Sequence, residues 1–581
     1  MRPARRCLLA ALLAGLLAGG FAGPAPADEA RVEALLERLD LESKVGQLLM
    51  VGFGGREMGP EIERLLRGHH IGAVALYTRN IQSAAQAQRL IRDVRQVMAE
   101  EVQPFLAIDQ EGGNVVRVHH PLAVLPGAMT LGATRDPMLA YLVGQAVGTE
   151  LRMLGFDMNL APVLDINHNP RNPVINVRAF GDEPGLVAAL GTAYITGQQE
   201  AGLATVAKHF PGHGTTAADS HFSLPRIEAG LEELESVDLV PFRQAVGAGL
   251  DAVMTAHVQV PAIEPAGTPG SLSPRVVHDL LRERLGFEGL VITDDLEMRA
   301  ISGELGVGEA AVRAVLAGAD MVMVIWTPRR KTEVVQALLG AVRAGRIPSA
   351  RLDESVRRIL RLKDRLGTLD AHRAPRAELG RLLPNPRHQQ LTWAVAVRGL
   401  TLVRNEGKLL PLCQGQGVLV ASPLKPFRQE LQRLLPGVTA VELRVRPSDA
   451  QRQRELARLL ELAPDHRALV VGVHNAYQAW LVQELVRRTR VPVVAVSFAS
   501  PYYLRNFPRV AGYVCTYSYL PAAQVAAAQA LAGRGAITGR LPVSVSAGYP
   551  RGAGFSLPRG ACRARLSLAP PSAGGVNSER P

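Results

Sequence analysis

The sequence predicts an α/β protein: an N-terminal (β/α)8 TIM barrel followed by a smaller α/β sandwich domain. Three observations carry that prediction. Short apolar runs alternate with amphipathic stretches as far as Leu366. The runs number eight, the count a closed barrel requires. Five of them end in a charged or imidazole group, and the carboxyl ends of parallel strands are where such folds keep their chemistry.

The runs are Gln47–Phe53, Ile71–Tyr77, Pro104–Asp109, Phe156–Asp165, Leu203–His209, Leu250–His257, Gly289–Asp295 and Ala319–Trp326. Each is continuously apolar, as expected of strands covered on both faces. Amphipathic stretches such as Ala85–Val97 and Leu231–Val246 supply the crossover helices. An open doubly wound sheet is the alternative, but eight such units suit closure better. In a closed barrel Asp109, Asp165, Lys208-His209, His257 and Asp294-Asp295 ring a single mouth.

A helical segment, Leu352–Leu366, ends the barrel domain, which spans 28–366. A polar linker follows over 367–388, with Ala374-Pro375 and Pro384-Asn385-Pro386. The second domain, 389–550, has apolar runs Gly417–Ala421, Ala468–Val473, Val491–Phe498 and Val510–Thr516, read as a parallel, sandwiched sheet. The Gly/Pro/Arg/Ser composition of 551–581 reads as a disordered tail.

Residues 1–27 read as an export signal: Arg2, Arg5 and Arg6, an apolar stretch from Cys7 to Ala18, then Ala25-Pro26-Ala27 as a cleavage site. The apolar stretch is too short for a stable span, so a periplasmic or extracellular protein with no membrane segment after cleavage is expected. The net charge of +12 does not mark a nucleic-acid partner. Seven of those charges lie in the two end segments, and aromatics make up only 4% of the chain. The cysteines after the signal are Cys413, Cys515 and Cys562, so one disulfide can form and one thiol is left over. None falls near the barrel mouth, which excludes a cysteine nucleophile there.

The richest stretch is Lys208-His209-Phe210-Pro211-Gly212-His213-Gly214, followed by Asp219-Ser220-His221. Proline and two glycines break any helix, so the segment is a strand running into a loop. Residues two apart in an extended segment project to the same side, so Asp219 can orient His221 and stabilise its protonated form. Such a histidine can act as general acid and base near neutral pH. A metal site of His209, His213 and His221 is disfavoured because Pro211 and Gly212 prevent the helix that aligns such pairs. No G-x-S-x-G elbow stands at a strand end, which disfavours a serine hydrolase. Asp294, where the seventh run meets its loop, can be a nucleophile, a base, a ligand or a helix cap, and Asp295 beside it can take the capping role. A poised carboxylate and an Asp-backed histidine among further Asp, Arg, Lys and His groups suit a sugar.

These residues resemble the NagZ-type β-N-acetylglucosaminidases (β-N-acetylhexosaminidases) of glycoside hydrolase family 3. The matching stretches run in order through the barrel: Leu41–Leu48, Asp109-Gln110-Glu111-Gly112-Gly113, Ala161–Asp165, Asn172–Ile175, Lys208–Gly214 with Asp219-Ser220-His221, Met254–His257 and Thr293-Asp294-Asp295. The resemblance implies a TIM barrel, no cofactor and no metal. It makes Asp294 the nucleophile of a covalent glycosyl intermediate, and His221, oriented by Asp219, the acid/base. Asp109, Arg117, Arg178, Lys208 and His209 match positions that hold the terminal N-acetylglucosamine, and His257 lies in a matching motif. Two departures stand out: Asn114, where the group commonly has arginine, and a second domain beginning near Val397–Asn405 and ending near Gly539–Val543. The expectation is an exported retaining exo-β-N-acetylglucosaminidase acting on peptidoglycan fragments or chitin-type oligosaccharides. Phosphorolysis, β-glucosidase or β-xylosidase activity, and non-catalytic sugar binding in the envelope are the alternatives.

Overall fold

The computed structural model describes residues 26–98, 102–220, 223–303, 305–369 and 379–562. The export signal up to residue 25, His221, the middle of the linker and the last part of the tail lie outside the described residues.

All eight apolar runs of the first domain become strands of one closed barrel. In chain order they are β1 (Leu49–Val51), β2 (Ala73–Leu76), β3 (Phe105–Ile108), β4 (Met158–Asn159), β5 (Ala204–Phe210), β6 (Ala252–Thr255), β7 (Leu290–Asp295) and β8 (Met321–Val324). Every neighbouring pair is parallel, and β1 closes the circle on β8 with Leu49 opposite Val322. The strands are apolar along their whole length because one face fills the barrel and the other meets helices; Val51, Ala75, Leu106, Val206, Val253 and Ile292 are all buried. Pairing continues past the short β4, where the Leu164 N–H donates to the Lys208 carbonyl at 2.7 Å. That contact carries the following loop to the mouth beside β5.

Crossover helices start and stop where local chemistry dictates. The helix Pro137–Leu154 has Asp136 capping the N–H groups of Met138 and Leu139, proline at its first position and left-handed Gly155 (φ 101°) at its end. The amphipathic stretch Ala85–Val97 falls in the helix Ala84–Val97, capped by Ser83. The helix Ser349–Arg365 covers the predicted closing segment. Among the described residues no helix is long and apolar enough to cross a membrane.

The second region is a six-stranded sheet in the order β11-β10-β12-β13-β14-β9. Its strands are β9 (Thr401–Asn405), β10 (Val418–Ser422), β11 (Thr439–Glu442), β12 (Ala468–Val473), β13 (Val493–Ser497) and β14 (Gly512–Cys515). The four apolar runs predicted here correspond to β10, β12, β13 and β14. The sheet is not wholly parallel, because β9 pairs antiparallel with β14. Edge strand β11 is largely exposed and therefore carries no apolar run to read. The linker is shorter than expected at its far end, since a helix already begins at Pro386.

The tail expected from residue 551 needs correction. Phe555 donates its N–H to the Leu402 carbonyl at 2.7 Å, and Ile537 and Leu557 exchange backbone hydrogen bonds at 2.9 Å. Cys413 and Cys562 form a disulfide, while Cys515 is the buried free thiol. Covering the β9 edge and closing a 149-residue loop anchor this segment, whose composition alone suggests disorder.

Candidate active site

The carboxyl ends of the barrel strands open into a cavity of about 400 Å³. Asp109, Arg117, Arg178, Lys208, His209 and Asp294 all line it, together with Glu111, His213, Ser220, Asp295, Tyr77, Arg79 and Trp326. Six of the eight residues singled out from sequence therefore line one cavity. Asp219 is half-buried one residue before the cavity-lining Ser220, and His221 lies outside the described residues.

A buried ion cluster forms the floor. Lys208, at the end of β5, reaches Asp109 at 2.7 Å and Glu111 at 2.8 Å. Arg178 grips Glu111 through two nitrogens at 2.9 and 2.7 Å, the bidentate geometry that a guanidinium fork favours. Arg117 reaches the other oxygen of Asp109 at 3.4 Å. Burial works against the Lys208 charge, but Asp109 and Glu111 outweigh it and hold its pKa above the usual value. Burial likewise works against the Glu111 carboxylate, and Arg178 and Lys208 overcome it, keeping Glu111 ionised well below the ordinary carboxylate range. Three cations face two carboxylates here, and the surplus positive charge favours an anion nearby.

The loop that carries this pair is shaped by its glycines. Gly112 sits at φ 86°, and a Cβ there would lie 2.8 Å from the Leu125 carbonyl oxygen. The tight turn lets Gln110 accept from the N–H groups of Arg117 and Val118 at 2.8 and 3.2 Å, fixing where Arg117 projects. Asn114 is exposed and does not line the cavity, so this departure from the family pattern leaves the floor untouched.

The third predicted group is the carboxylate at the end of β7. Asp294 accepts the Asp295 N–H at 2.8 Å. Burial pushes its pKa up, but the His257 and His209 rings, that N–H and Lys208 together bring it below the usual value, so it stands ionised. His257 works from behind: its Nε2 lies 3.1 Å from the Asp295 carbonyl and its Nδ1 2.7 Å from the Ser271 hydroxyl. A carbonyl only accepts, so Nε2 donates to it. Burial lowers the pKa of this ring, and its hydrogen bond to the Asp295 carbonyl pins the backbone that carries Asp294.

Asp165 organises the histidine loop. It accepts from His209 Nδ1 at 2.7 Å and from the His213 N–H at 2.6 Å, leaving His209 Nε2 for a ligand. His213 has both ring nitrogens engaged, by Thr216 at 2.9 Å and Ser220 at 3.1 Å. Among the described residues no cluster of histidine, cysteine, aspartate and glutamate has the geometry to hold a metal ion.

Sequence reasoning gave no role to Glu111, the partner of two cations, nor to the aromatic rim. Glu111 was visible only as a letter of the Asp-Gln-Glu-Gly-Gly motif. At the rim the Arg79 guanidinium carbon lies 4.1 Å over the Trp326 ring, and Tyr77 and Trp326 are 5.5 Å apart. Both aromatics close predicted strand runs, Ile71–Tyr77 and Ala319–Trp326, and that position was the signal available.

A carboxylate held ionised at the end of one barrel strand, sharing a cavity with clustered lysine, arginine and carboxylate groups, suits a carbohydrate ligand. Residues 40–362 match the family described as glycosyl hydrolase family 3 N terminal domain. The chain belongs to glycoside hydrolase family 3 and is a glycoside hydrolase. It is similar to a family 3 β-N-acetylglucosaminidase structure from Paenibacillus sp. str. FPU-7, with TM-score 0.83 and 39% identity, covering 87% of this chain and 99% of that one. It is 30% identical to a β-N-acetylglucosaminidase/β-glucosidase of Cellulomonas fimi, over 89% of this chain and 96% of that protein. It is 34% identical to β-hexosaminidase A of Pseudoalteromonas piscicida over 61% of this chain, a match that spans 62% of that relative's own length.

Proposed function

We propose that this chain is an exported retaining exo-β-N-acetylglucosaminidase that removes terminal N-acetylglucosamine from peptidoglycan fragments or chitin-type oligosaccharides. The observation that carries the reading is the ionised Asp294 set across one cavity from the Asp109–Lys208–Glu111–Arg178 cluster. The names of its relatives from Paenibacillus, Cellulomonas fimi and Pseudoalteromonas support the choice of sugar.

Asp109, Arg117, Arg178, Lys208 and His209 hold the sugar's hydroxyl and acetamido groups. An Asp294 oxygen attacks the anomeric carbon and forms a glycosyl ester, while the His221 imidazolium, oriented by Asp219, gives its proton to the departing oxygen. Neutral His221 then takes a proton from water as that water attacks the same carbon. The ester breaks, the Asp294 carboxylate is restored, and two inversions give net retention. Residues 1–27 direct export.

A slow fluorinated N-acetylglucosaminide tests the covalent step by mass spectrometry. One added sugar on the peptide containing Asp294 is expected, and a label on any other peptide ends the assignment. Turnover of an aryl N-acetylglucosaminide in phosphate buffer should release free sugar; sugar 1-phosphate as the main product would replace hydrolysis with phosphorolysis.

A further inference from the structure

Trp326 is the feature of the mouth that the mechanism above leaves unused. It is 55% exposed, the most exposed of the aromatic rings at this cavity, although it stands only two residues past β8. Exposing an indole forgoes the stabilisation its burial would bring. Its position is nonetheless fixed from three sides. Arg79 lies over one face of the ring and is itself anchored, donating to the Phe53 carbonyl at 2.8 Å and the Ile325 carbonyl at 3.2 Å. Tyr77 packs against the ring at 46°. The backbone N–H of Trp326 donates to Glu297, which also accepts the Thr327 N–H at 3.0 Å, and this fixes the chain from which the ring projects. Glu297 lies three residues after Asp294, so the loops following β7 and β8 are tied together.

The rings also form a line with a direction. Arg117, which binds Asp109 on the cavity floor, lies 5.4 Å over the Tyr77 ring. Tyr77 is half-buried and touches Trp326, which stands at the rim. This series leads from Arg117 on the floor through Tyr77 to Trp326 at the rim of the cavity that Asp294 also lines. Arg79 and Tyr77 cover part of the indole, and the remainder of the residue is open to solvent. A flat, rigid apolar surface open to solvent matches the C–H face of a pyranose ring.

We propose that Trp326, held by Arg79 and Tyr77, is the platform on which the ring of the leaving-group sugar stacks, and that it sets preference for a glycan over a small leaving group. This inference rests on the proposed function, because a leaving-group site presupposes that a terminal sugar is cleaved at Asp294. The platform holds the leaving sugar in the ground state and in the transition state, so its loss acts mainly through KM.

The test compares two substrates that transfer the same N-acetylglucosaminyl residue and differ only in the leaving group. One is di-N-acetylchitobiose, whose leaving group is a pyranose; the other is β-N-acetylglucosaminyl fluoride, whose leaving group has no ring. For Trp326→Ala, the ratio of kcat/KM for disaccharide to kcat/KM for fluoride should fall at least tenfold, and Trp326→Phe should restore most of it. An unchanged ratio overturns the platform, whether both rates fall together or neither moves. Wild-type protein that cleaves neither substrate removes the proposed function and this inference together; wild-type turnover with an unchanged ratio removes the platform alone.

Discussion

The barrel mouth and the second sheet are built from the same material, parallel apolar strands sandwiched by helices, yet only one of them gathers charge. The barrel strands end in Asp109, Lys208, His209, Asp294 and Asp295. The four inner strands of the second sheet end in Ser422, Val473, Ser497 and Cys515 followed by Thr516, and only the exposed edge strand β11 ends in a charge, Glu442. In an open parallel sheet the crevice beyond the carboxyl ends is where a ligand would sit. Here the barrel itself fills that place. Tyr502, after β13, accepts from the Asn167 side chain at 3.0 Å, and the Thr130 hydroxyl donates to the Thr516 carbonyl at 3.2 Å. Met129, Ala133 and Val177 of the barrel join the apolar core of the second sheet. A closed barrel points eight strand ends at one small volume, whereas an open sheet spreads its ends along a line that another surface can cover.

The second region therefore acts as a buttress for the loop after β4. Asn167, bound to Tyr502, accepts the Asn176 N–H at 2.9 Å, and Asn176 opens the short turn that ends at Arg178. On the far side Asp182 accepts the Ser544 N–H at 2.7 Å. Gly181 packs so closely that a Cβ there would meet the Pro542 carbonyl oxygen at 2.5 Å.

The contrast predicts effects that differ in kind. Lys208→Met should have the largest: it strips the shared cation from Asp109 and Glu111, lowering kcat/KM by about 10³-fold and stability by about 3 kcal/mol. A variant with near wild-type turnover would mean the mouth's charges are structural, like those elsewhere in the barrel wall. Cys413→Ser should do the opposite. Losing the Cys413–Cys562 bridge across 149 residues should cost about 2–4 kcal/mol, read by calorimetry. Turnover at 25 °C should stay within about twofold; a large loss of kcat would show that the second region reaches into the chemistry.

Asp238 separates useful charge from costly charge within the barrel itself. It is 3% exposed, neither of its carboxyl oxygens has a hydrogen-bond partner among the described residues, and it lies against Gly212 in the histidine loop. Burial, with the nearby charge of Asp165, pushes its pKa from the ordinary 3.8 to about 7. The unfolded chain releases this proton first, so the stability linked to it is fully present below about pH 4 and is lost as pH rises towards 7. Asp238→Asn should therefore raise the melting temperature at pH 8, by about 2 kcal/mol of stability, with the gain shrinking towards pH 5. A pH-independent difference would mean the carboxyl does not titrate there. The smallest effect is expected at the boundary between the regions: Tyr502→Phe removes the hydroxyl's two hydrogen bonds to Asn167, about 1 kcal/mol, and should raise KM a few-fold through the Arg178 turn while leaving kcat nearly unchanged. An unaltered KM would confine the second region to stability.

Eight barrel strands and the polar groups at their ends were legible in the residues alone, because a strand buried on both faces must be apolar throughout and its first polar residue marks the mouth. Asp109, Lys208, His209 and Asp294 were found that way. The loop between Asp219 and His221 was legible as a motif, though its arrangement was not. What tertiary structure alone decided are the partnerships across long separations: Glu111 with Arg178, 67 residues apart, Arg79 over Trp326, Cys413 with Cys562, and Tyr502 with Asn167. The letters of a chain report what each segment needs for burial and backbone shape, since those demands are local. They do not report which side chains meet once the barrel closes and the sheet docks, because those contacts depend on where distant segments come to rest.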